Sequence, residues 1–305
     1  MTVKHSFIII GAAGFLGSTM TAYLKEKGFE VYEILRGQIS GIELDFNFLS
    51  NLVKVTNNPV VIDFSYTSVP NTSFQDPVKD YSENLYNVIR HLEFVKQLHN
   101  PTYVYISSGG TVYGNLDVNK AVDENYQNNP LSPYGITKLC CEKYVMMYNQ
   151  VHNLKTKIIR PSNIYGPGQK PFRGQGIIAN AIVKMLKGQP IQVFGNGDQV
   201  RDYLYVDDFT SAIFDVVIHG TDDIYNIGFG RGYSINDLIA KIEKLLNIPF
   251  RIEQLPFRPF DVQYNVLDTS RLKSLNNWSP ETNIDEGLNQ SISWLKNYLY
   301  SYNKA

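Results

Sequence analysis

The sequence predicts an α/β protein, a doubly wound parallel sheet with a smaller, interleaved C-terminal α/β part. Three observations point there. Strand and helix patterns alternate through the first half of the 305 residues, and such alternation needs crossover helices between parallel strands. The first strand runs directly into a glycine-rich turn that opens a helix. From residue 166 onward glycine and proline become dense and the segments shorten, with no low-complexity linker and no internal repeat. The length exceeds that of one compact core, so one large or two intimate domains are expected. The expected division is 1–165 and 166–305, with segments around 200–230 returning to the first domain.

Phe7-Ile-Ile-Ile10 is short and β-branched, as a buried parallel strand should be. Gly11-Ala-Ala-Gly14-Phe15-Leu16-Gly17 follows, and a helical pattern runs on through Met20, Leu24 and Lys27. Further strands are expected at 30–35, 42–45, 60–64, 103–107 and 157–160, with helices at 47–56, 76–99 and 134–152. In the second half the patterns predict a helix at 177–187 and a strand at 191–194 before a Gly-Asn-Gly turn. A helix at 207–219, a strand at 224–227, a helix at 235–246 and an amphipathic run at 284–300 complete the chain. Ligands of such a sheet belong beyond the carboxyl ends of its strands. Gly11, Arg36, Ser107-Ser108 and Pro161-Ser162-Asn163 all follow strand ends.

Composition excludes several classes. Apolar residues make up 43% and charged residues 19%, and 28 basic against 29 acidic residues leave a net charge of −1. No basic excess announces nucleic acid or an anionic membrane as partner. The apolar run before Gly11 is too short for a signal segment or a membrane span. Cys140 and Cys141 are adjacent in a helical stretch and point to different faces, and the five histidines are scattered. The expectation is a reduced, cytoplasmic protein without a metal site.

The Gly11–Gly17 turn presents backbone N–H groups at a helix N-terminus, where a dinucleotide diphosphate is favourably held. Gly11 permits the turn, Gly14 lets phosphate approach, and Gly17 lets helix and strand pack closely; a plain strain-relieving turn is the alternative. The second strand ends in Leu35-Arg36 without a carboxylate to meet ribose hydroxyls. A guanidinium there suits a 2′-phosphate, so NADP is favoured over NAD unless Arg36 is a solvated turn residue.

Tyr134-Gly-Ile-Thr-Lys138 carries the chemistry. Ser132 suits an N-cap and Pro133 the first helical position, and i, i+4 spacing puts phenol and ammonium on one face. A free phenol has a pKa of roughly 10. A neighbouring ammonium favours its anion, which would make Tyr134 a usable base. The alternative is chance spacing in a chain with 21 tyrosines.

Gly11–Gly17, Ser107-Ser-Gly-Gly-Thr-Val-Tyr-Gly114, Tyr134–Lys138, Arg160-Pro-Ser-Asn-Ile-Tyr-Gly-Pro-Gly168, Gly195–Asp208 and Arg258-Pro-Phe-Asp261 occur in this order over nearly the whole chain. In this the chain resembles the extended short-chain dehydrogenases/reductases of the nucleotide-sugar epimerase/dehydratase family. The resemblance implies a Rossmann-type cofactor domain, a nucleotide-sugar-binding C-terminal part and a homodimer built through two helices per subunit. It implies Tyr134 as acid/base with Lys138 as its partner, the lysine also reaching the cofactor ribose. It gives Gly11, Gly14, Phe15, Leu16 and Gly17 to the cofactor, and Asp45 to its adenine unless Asp45 is a helix cap. Asn163, Arg201 and Arg258 then hold the nucleotide diphosphate and Asp261 a ribose. Alternatively Arg201 bridges to Asp202 or Asp207, and Arg258 is a loop charge between prolines. Polysaccharide synthesis, O-antigen included, is the pathway class the resemblance suggests.

Three departures stand out. The family's catalytic hydroxyl falls at Gly109, leaving Ser108 or Thr111 as substitutes. Where its dehydratases carry an Asp-Glu pair this chain has Gly110-Thr111, which disfavours a 4,6-dehydratase because elimination lacks its proton carriers. Asp63-Phe-Ser-Tyr66 stands where the family commonly has His-Leu-Ala-Ala, altering the wall of the cofactor site. Reduction of a nucleotide-linked 4-keto-6-deoxyhexose by NADPH is the favoured activity, on the strength of Arg36. A UDP-hexose 4-epimerase retaining NAD, and a non-catalytic NADP-sensing scaffold, are the alternatives.

Overall fold

In the computed structural model the described residues are 5–35, 58–116, 120–258 and 261–302. They run β1 (Ser6–Ile10), α1 (Phe15–Glu26), β2 (Glu30–Ile34), β3 (Val60–Asp63), α2 (Pro70–Gln75), α3 (Pro77–Val95), β4 (Thr102–Ile106), α4 (Gly109–Val112), α5 (Pro133–His152), β5 (Lys155–Pro161) and β6 (Asn163–Tyr165). There follow α6 (Ile177–Leu186), β7 (Ile191–Phe194), β8 (Val200–Tyr205), α7 (Val206–His219), β9 (Ile224–Ile227), β10 (Gly232–Ser234), α8 (Ile235–Leu246), β11 (Ile252–Leu255), β12 (Tyr264–Asn265), α9 (Ser270–Asn276) and α10 (Ile284–Tyr302).

Six strands form one parallel sheet in the order β2-β1-β3-β4-β5-β9. The chain leaves β1 in one direction to β2 and returns past it to β3, so the topological switch lies between β1 and β3. A crevice opens beyond the strand ends at such a point. Alternation along β1 feeds both faces of the sheet. Phe7 and Ile9 pack with Met20 and Leu24 of α1 and with Phe209 and Ile213 of α7. Ile8 and Ile10 pack with Val88 and Leu92 of α3 and with Val145 of α5. Each such buried side chain contributes about 1.5–3 kcal/mol of hydrophobic stabilisation.

A second core gathers Ile182 of α6, Leu238 and Ile242 of α8 and Leu288 and Leu295 of α10. Over it lie a small sheet, β10-β8-β12 with β6 paired to β8, and the two-stranded β11-β7 ladder. Asp202 fastens β8 to its surroundings. Its carboxylate accepts from the backbone N–H of Phe229 (2.8 Å), Gly230 (3.0 Å) and Leu267 (3.3 Å).

The fold class is the one the alternation predicts. The helix expected at 76–99 ends at Val95, ahead of Pro101, whose ring and missing N–H do not extend a helix. The strand at 42–45, the helix at 47–56, Arg36 and Asp45 lie outside the described residues. Helices α2, α4 and α9 and the strands β6, β8, β10, β11 and β12 had no counterpart in the sequence patterns; β6, β10 and β12 are two or three residues long, too short to carry a periodicity. Among the described residues no helix is long and apolar enough to cross a membrane.

Candidate active site

A cleft of about 730 Å³ opens at the switch point. Gly14, Phe15, Leu16 and Gly17 line it, as do Ser108, Thr111, Tyr134, Lys138, Asn163, Arg201, Arg258 and Asp261. The sequence-predicted residues that are described thus converge on one cavity, with Gly11 shaping its wall from behind. Gly11 has φ +81°, and a Cβ on it would stand 3.0 Å from the Phe64 carbonyl. A Cβ on Gly17 would lie 2.3 Å from the Gly11 carbonyl oxygen, so helix α1 can close on the turn only with glycine there. Gly14 is the N-cap of α1, no side chain caps it, and the first turn holds no acid. The N–H groups of this 12-residue helix therefore meet the cleft with their partial positive charge intact. That cradle fits the diphosphate of a nicotinamide dinucleotide.

At the other wall Ser132 Oγ accepts from Gly135 N at 3.1 Å, and Pro133 occupies the first turn of α5. Tyr134 N donates to Ser73 Oγ of α2 at 3.1 Å, which fixes the helix start from a neighbouring element. The Tyr134 hydroxyl pairs with the Ser108 side chain. Gly109 has no room for a side chain, since its Cβ would stand 2.7 Å from Leu267 Cδ1 and 2.9 Å from the Arg160 carbonyl oxygen. Of the two hydroxyls expected to stand in for the one lost at Gly109, Ser108 is the one that meets Tyr134. Thr111 lines the same cleft, but its Oγ1 is buried without a hydrogen-bond partner.

Lys138 is 3% exposed, and its Nζ donates to the Ile106 carbonyl at 2.7 Å. The same atom lies 3.7 Å from the Tyr66 ring centroid, 5.1 Å from that of Tyr105 and 5.7 Å from that of Tyr134. Burial lowers its pKa to about 8. Burial also pushes the Tyr134 phenol above its ordinary value; the Ser108 hydrogen bond opposes this and the Asp80 charge adds to it. The expectation of a phenol acidified by Lys138 is therefore corrected. The ammonium is turned toward Ile106 and Tyr66, and desolvation of the phenolate dominates.

Several residues behind the site escaped the sequence reading. Ser107 Oγ donates to Glu142 Oε1 at 2.5 Å, and Arg160 grips the same carboxylate through Nε (3.0 Å) and Nη2 (2.6 Å). This buried clamp holds the Ser107-Ser108 turn against α5. The available signal was spacing, since Glu142 lies one turn beyond Lys138 on the same face. Asp63 at the end of β3 accepts from Tyr103 OH and meets His91 Nδ1, each at 2.7 Å. Burial raises the Asp63 carboxyl, but His91, Ser65 and Tyr103 outweigh it and hold it well below the usual carboxylate range.

The cationic end is built differently. Arg258 donates through Nε and Nη2 to Asp261 Oδ2 (2.8 Å) and Oδ1 (3.1 Å), with its guanidinium 3.9 Å from the Phe194 ring centroid. Arg201 donates to the Val200 carbonyl at 2.9 Å, and burial lowers its pKa. Asp202, one of its suggested bridging partners, is instead occupied by backbone amides. Asn163 Nδ2 donates to the Asp202 carbonyl at 3.1 Å, which places it beside β8.

With this geometry in place, comparison with known proteins is direct. Residues 7–228 match the NAD dependent epimerase/dehydratase family. The chain belongs to that family. A putative UDP-glucose 4-epimerase of Methanocaldococcus jannaschii is 33% identical, covering 95% of this chain and 98% of its own. A dTDP-4-dehydro-6-deoxyglucose reductase of Escherichia coli is 29% identical over 96% and 98%. Among solved structures, the UDP-glucose 4-epimerase of Thermotoga maritima with UDP-glucose superposes with a TM-score of 0.88 at 27% identity, covering 96% and 99%. That of Thermus thermophilus with NAD gives 0.87 at 26%, covering 95% and 99%. Like other members of the family, the chain is an NAD(P)-dependent enzyme with a Rossmann-type sheet.

Proposed function

We propose that this protein is a nucleotide-sugar 4-epimerase that interconverts UDP-hexoses differing at C4. The observation that carries the C4 chemistry is the Ser108–Tyr134 contact with Lys138 beside it, in a cleft that runs from the α1 N-terminus to Arg201. Tyr134 takes the proton from the sugar hydroxyl in one half-reaction and returns it in the other, with Ser108 holding the shared oxygen. General acid–base help of this kind is worth about 10²–10⁴-fold. A nicotinamide held in this cleft would supply the hydride acceptor and donor. Lys138 adds a positive charge and a donor. Asn163, Arg201 and Arg258 hold the diphosphate and Asp261 a ribose; Gly11–Gly17 hold the cofactor diphosphate. Gly110-Thr111 supplies neither carboxylic acid nor carboxylate base, so the cleft lacks the proton carriers of a dehydratase.

The sequence preference for a reductase rested on Arg36, which lies outside the described residues. The epimerase reading is supported by the relative of higher identity and by neighbours solved with UDP-glucose or NAD. Leu35-Arg36 still favours a second reading, an NADPH-dependent reductase of a 4-keto-6-deoxy nucleotide sugar. One comparison decides: the purified protein should interconvert UDP-glucose and UDP-galactose with no added reductant. Consumption of NADPH with a 4-keto-6-deoxy nucleotide sugar, and no interconversion, would install the reductase instead. In either case 1–165, joined by the returning segments around 200–230, form the cofactor part, and the remainder of 166–305, with Asn163, serves the sugar nucleotide. The exposed Tyr81, Tyr86, Ile136 and Tyr144 of α3 and α5 support a homodimer through those helices, to be read by sedimentation.

A further inference from the structure

We propose that Tyr66 is a positioning residue of this site, an aromatic platform that keeps the Lys138 ammonium charged and in place beside Tyr134. The inference deepens the epimerase reading and rests on it for its catalytic consequence.

Three contacts place it. The face of the Tyr66 ring lies 3.7 Å from Lys138 Nζ, the shortest cation–ring distance found in the described residues. Its centroid is 5.0 Å from that of Tyr134 in an edge-to-face arrangement at 73°. Its hydroxyl donates to Asp80 Oδ1 at 3.4 Å. One ring thus touches both residues of the Tyr–Lys pair, and both geometries are the attractive ones for an aromatic quadrupole.

The placement is built in on both sides of the residue. Ser65 donates to Asp63 Oδ1 through its N–H (2.9 Å) and its hydroxyl (2.6 Å), and Asp63 is itself locked by His91 and Tyr103. On the other side Thr67 N donates to Asn84 Oδ1 at 2.8 Å, and the Ser68 hydroxyl donates to Asp80. Residues flanking Tyr66 are therefore tied to β3 and α3, which leaves the ring little freedom.

Lys138 needs such a partner. It is buried, it has one backbone acceptor at Ile106, and burial works against its charge. The titratable groups facing it are Cys141 and Glu142 from α5, Asp63 from β3 and Asp80 from α3, together with Tyr105 and Tyr134. None of these carboxylates makes an ion pair with it among the described residues, so beyond the Ile106 carbonyl the aromatic faces carry the nearest attraction.

The test replaces the quadrupole without opening the pocket. Tyr66→Leu keeps apolar bulk and removes the ring; Tyr66→Phe keeps the ring and removes the hydroxyl. Lysine Nζ is ¹⁵N-labelled, the Lys138 resonance is assigned with Lys138→Met, and its titration is followed by NMR in the protein without substrate. Tyr66→Leu should lower the Lys138 pKa by about 0.5–1 unit, and Tyr66→Phe should leave it within 0.2 unit, about the precision of such a titration. In turnover, Tyr66→Leu should lose at least about tenfold more kcat than Tyr66→Phe, with KM for the nucleotide sugar within about twofold. An unshifted Lys138 in Tyr66→Leu, or equal shifts in both variants, would overturn the proposal, the second outcome assigning the role to the hydroxyl and Asp80. The titration needs no substrate, so absence of UDP-hexose turnover would defeat the epimerase reading and leave this inference standing on its own measurement.

Discussion

At the Tyr134 end of the cleft the reactive groups come from one helix and the ends of two strands, with Lys138 buried and Tyr134 and Ser108 half-buried. At the Arg201 end the cations sit on β8 and on the loop after β11, backed by two- to four-stranded sheets. The first end uses burial to set proton affinity: Lys138 is lowered and Tyr134 raised, with half-buried Ser108 beside the phenol. The second end presents guanidinium charge over an aromatic ring, with geometry suited to an anion that arrives from outside. A change at one end should therefore alter rate, and a change at the other should alter affinity.

The largest effect should come from Tyr134→Phe. Turnover is expected to fall about 10²–10⁴-fold, while calorimetric binding of uridine diphosphate stays within about twofold because the phenol makes no diphosphate contact. Equal loss of binding would erase the division between the two ends. Arg201→Ala comes next. Losing a charge-assisted hydrogen bond should raise Kd for uridine diphosphate by about 10–150-fold, with kcat changed much less. A collapse of kcat alone would place Arg201 with the reacting atoms.

Gly109→Ser sharpens the comparison from the packing side. The added side chain would meet Leu267 and the Arg160 carbonyl. Destabilisation of about 1–3 kcal/mol in urea unfolding is expected, without a gain in turnover if Ser108 fills the hydroxyl role as proposed. A faster enzyme would mean that the hydroxyl belongs at 109 after all.

The smallest effect is in pH. With its pKa near 8, Lys138 is charged below that value and neutral above it, so kcat should decline on the alkaline side as its proton leaves. Between about 8 and the ordinary lysine value of 10.5 the unfolded chain binds the extra proton. The contribution of Lys138 to stability therefore rises with pH across that window. An alkaline limb unmoved by Lys138→Arg would dissociate the profile from this residue.

The same contrast explains what could be read from the chain. Tyr134, Lys138, Ser132 and the glycines of the α1 turn are local signals, each decided by neighbours within a few residues. The elements carrying them were legible to within a residue or two, and 191–194, 224–227 and 235–246 matched their boundaries. The platform Tyr66, the clamp Glu142–Arg160 and the short strands around β8 depend on partners far along the chain. Arg258 and Asp261 could be named as site residues, but their mutual ion pair is set by the loop that carries both. The acidified phenol was misread for a related reason. Spacing shows that an ammonium is near, whereas the balance between its field and desolvation is decided by what surrounds both groups.

The last strand of the six-stranded sheet has a consequence during synthesis. β9 reaches its place beside β5 only after residue 227 has left the ribosome, so until then the nascent chain carries an unpaired strand edge. Unprotected edges of this sort invite pairing with other chains. Exposed Lys155 and half-buried Lys157 at the start of β5, and Pro161 at its end, are the features that would discourage it.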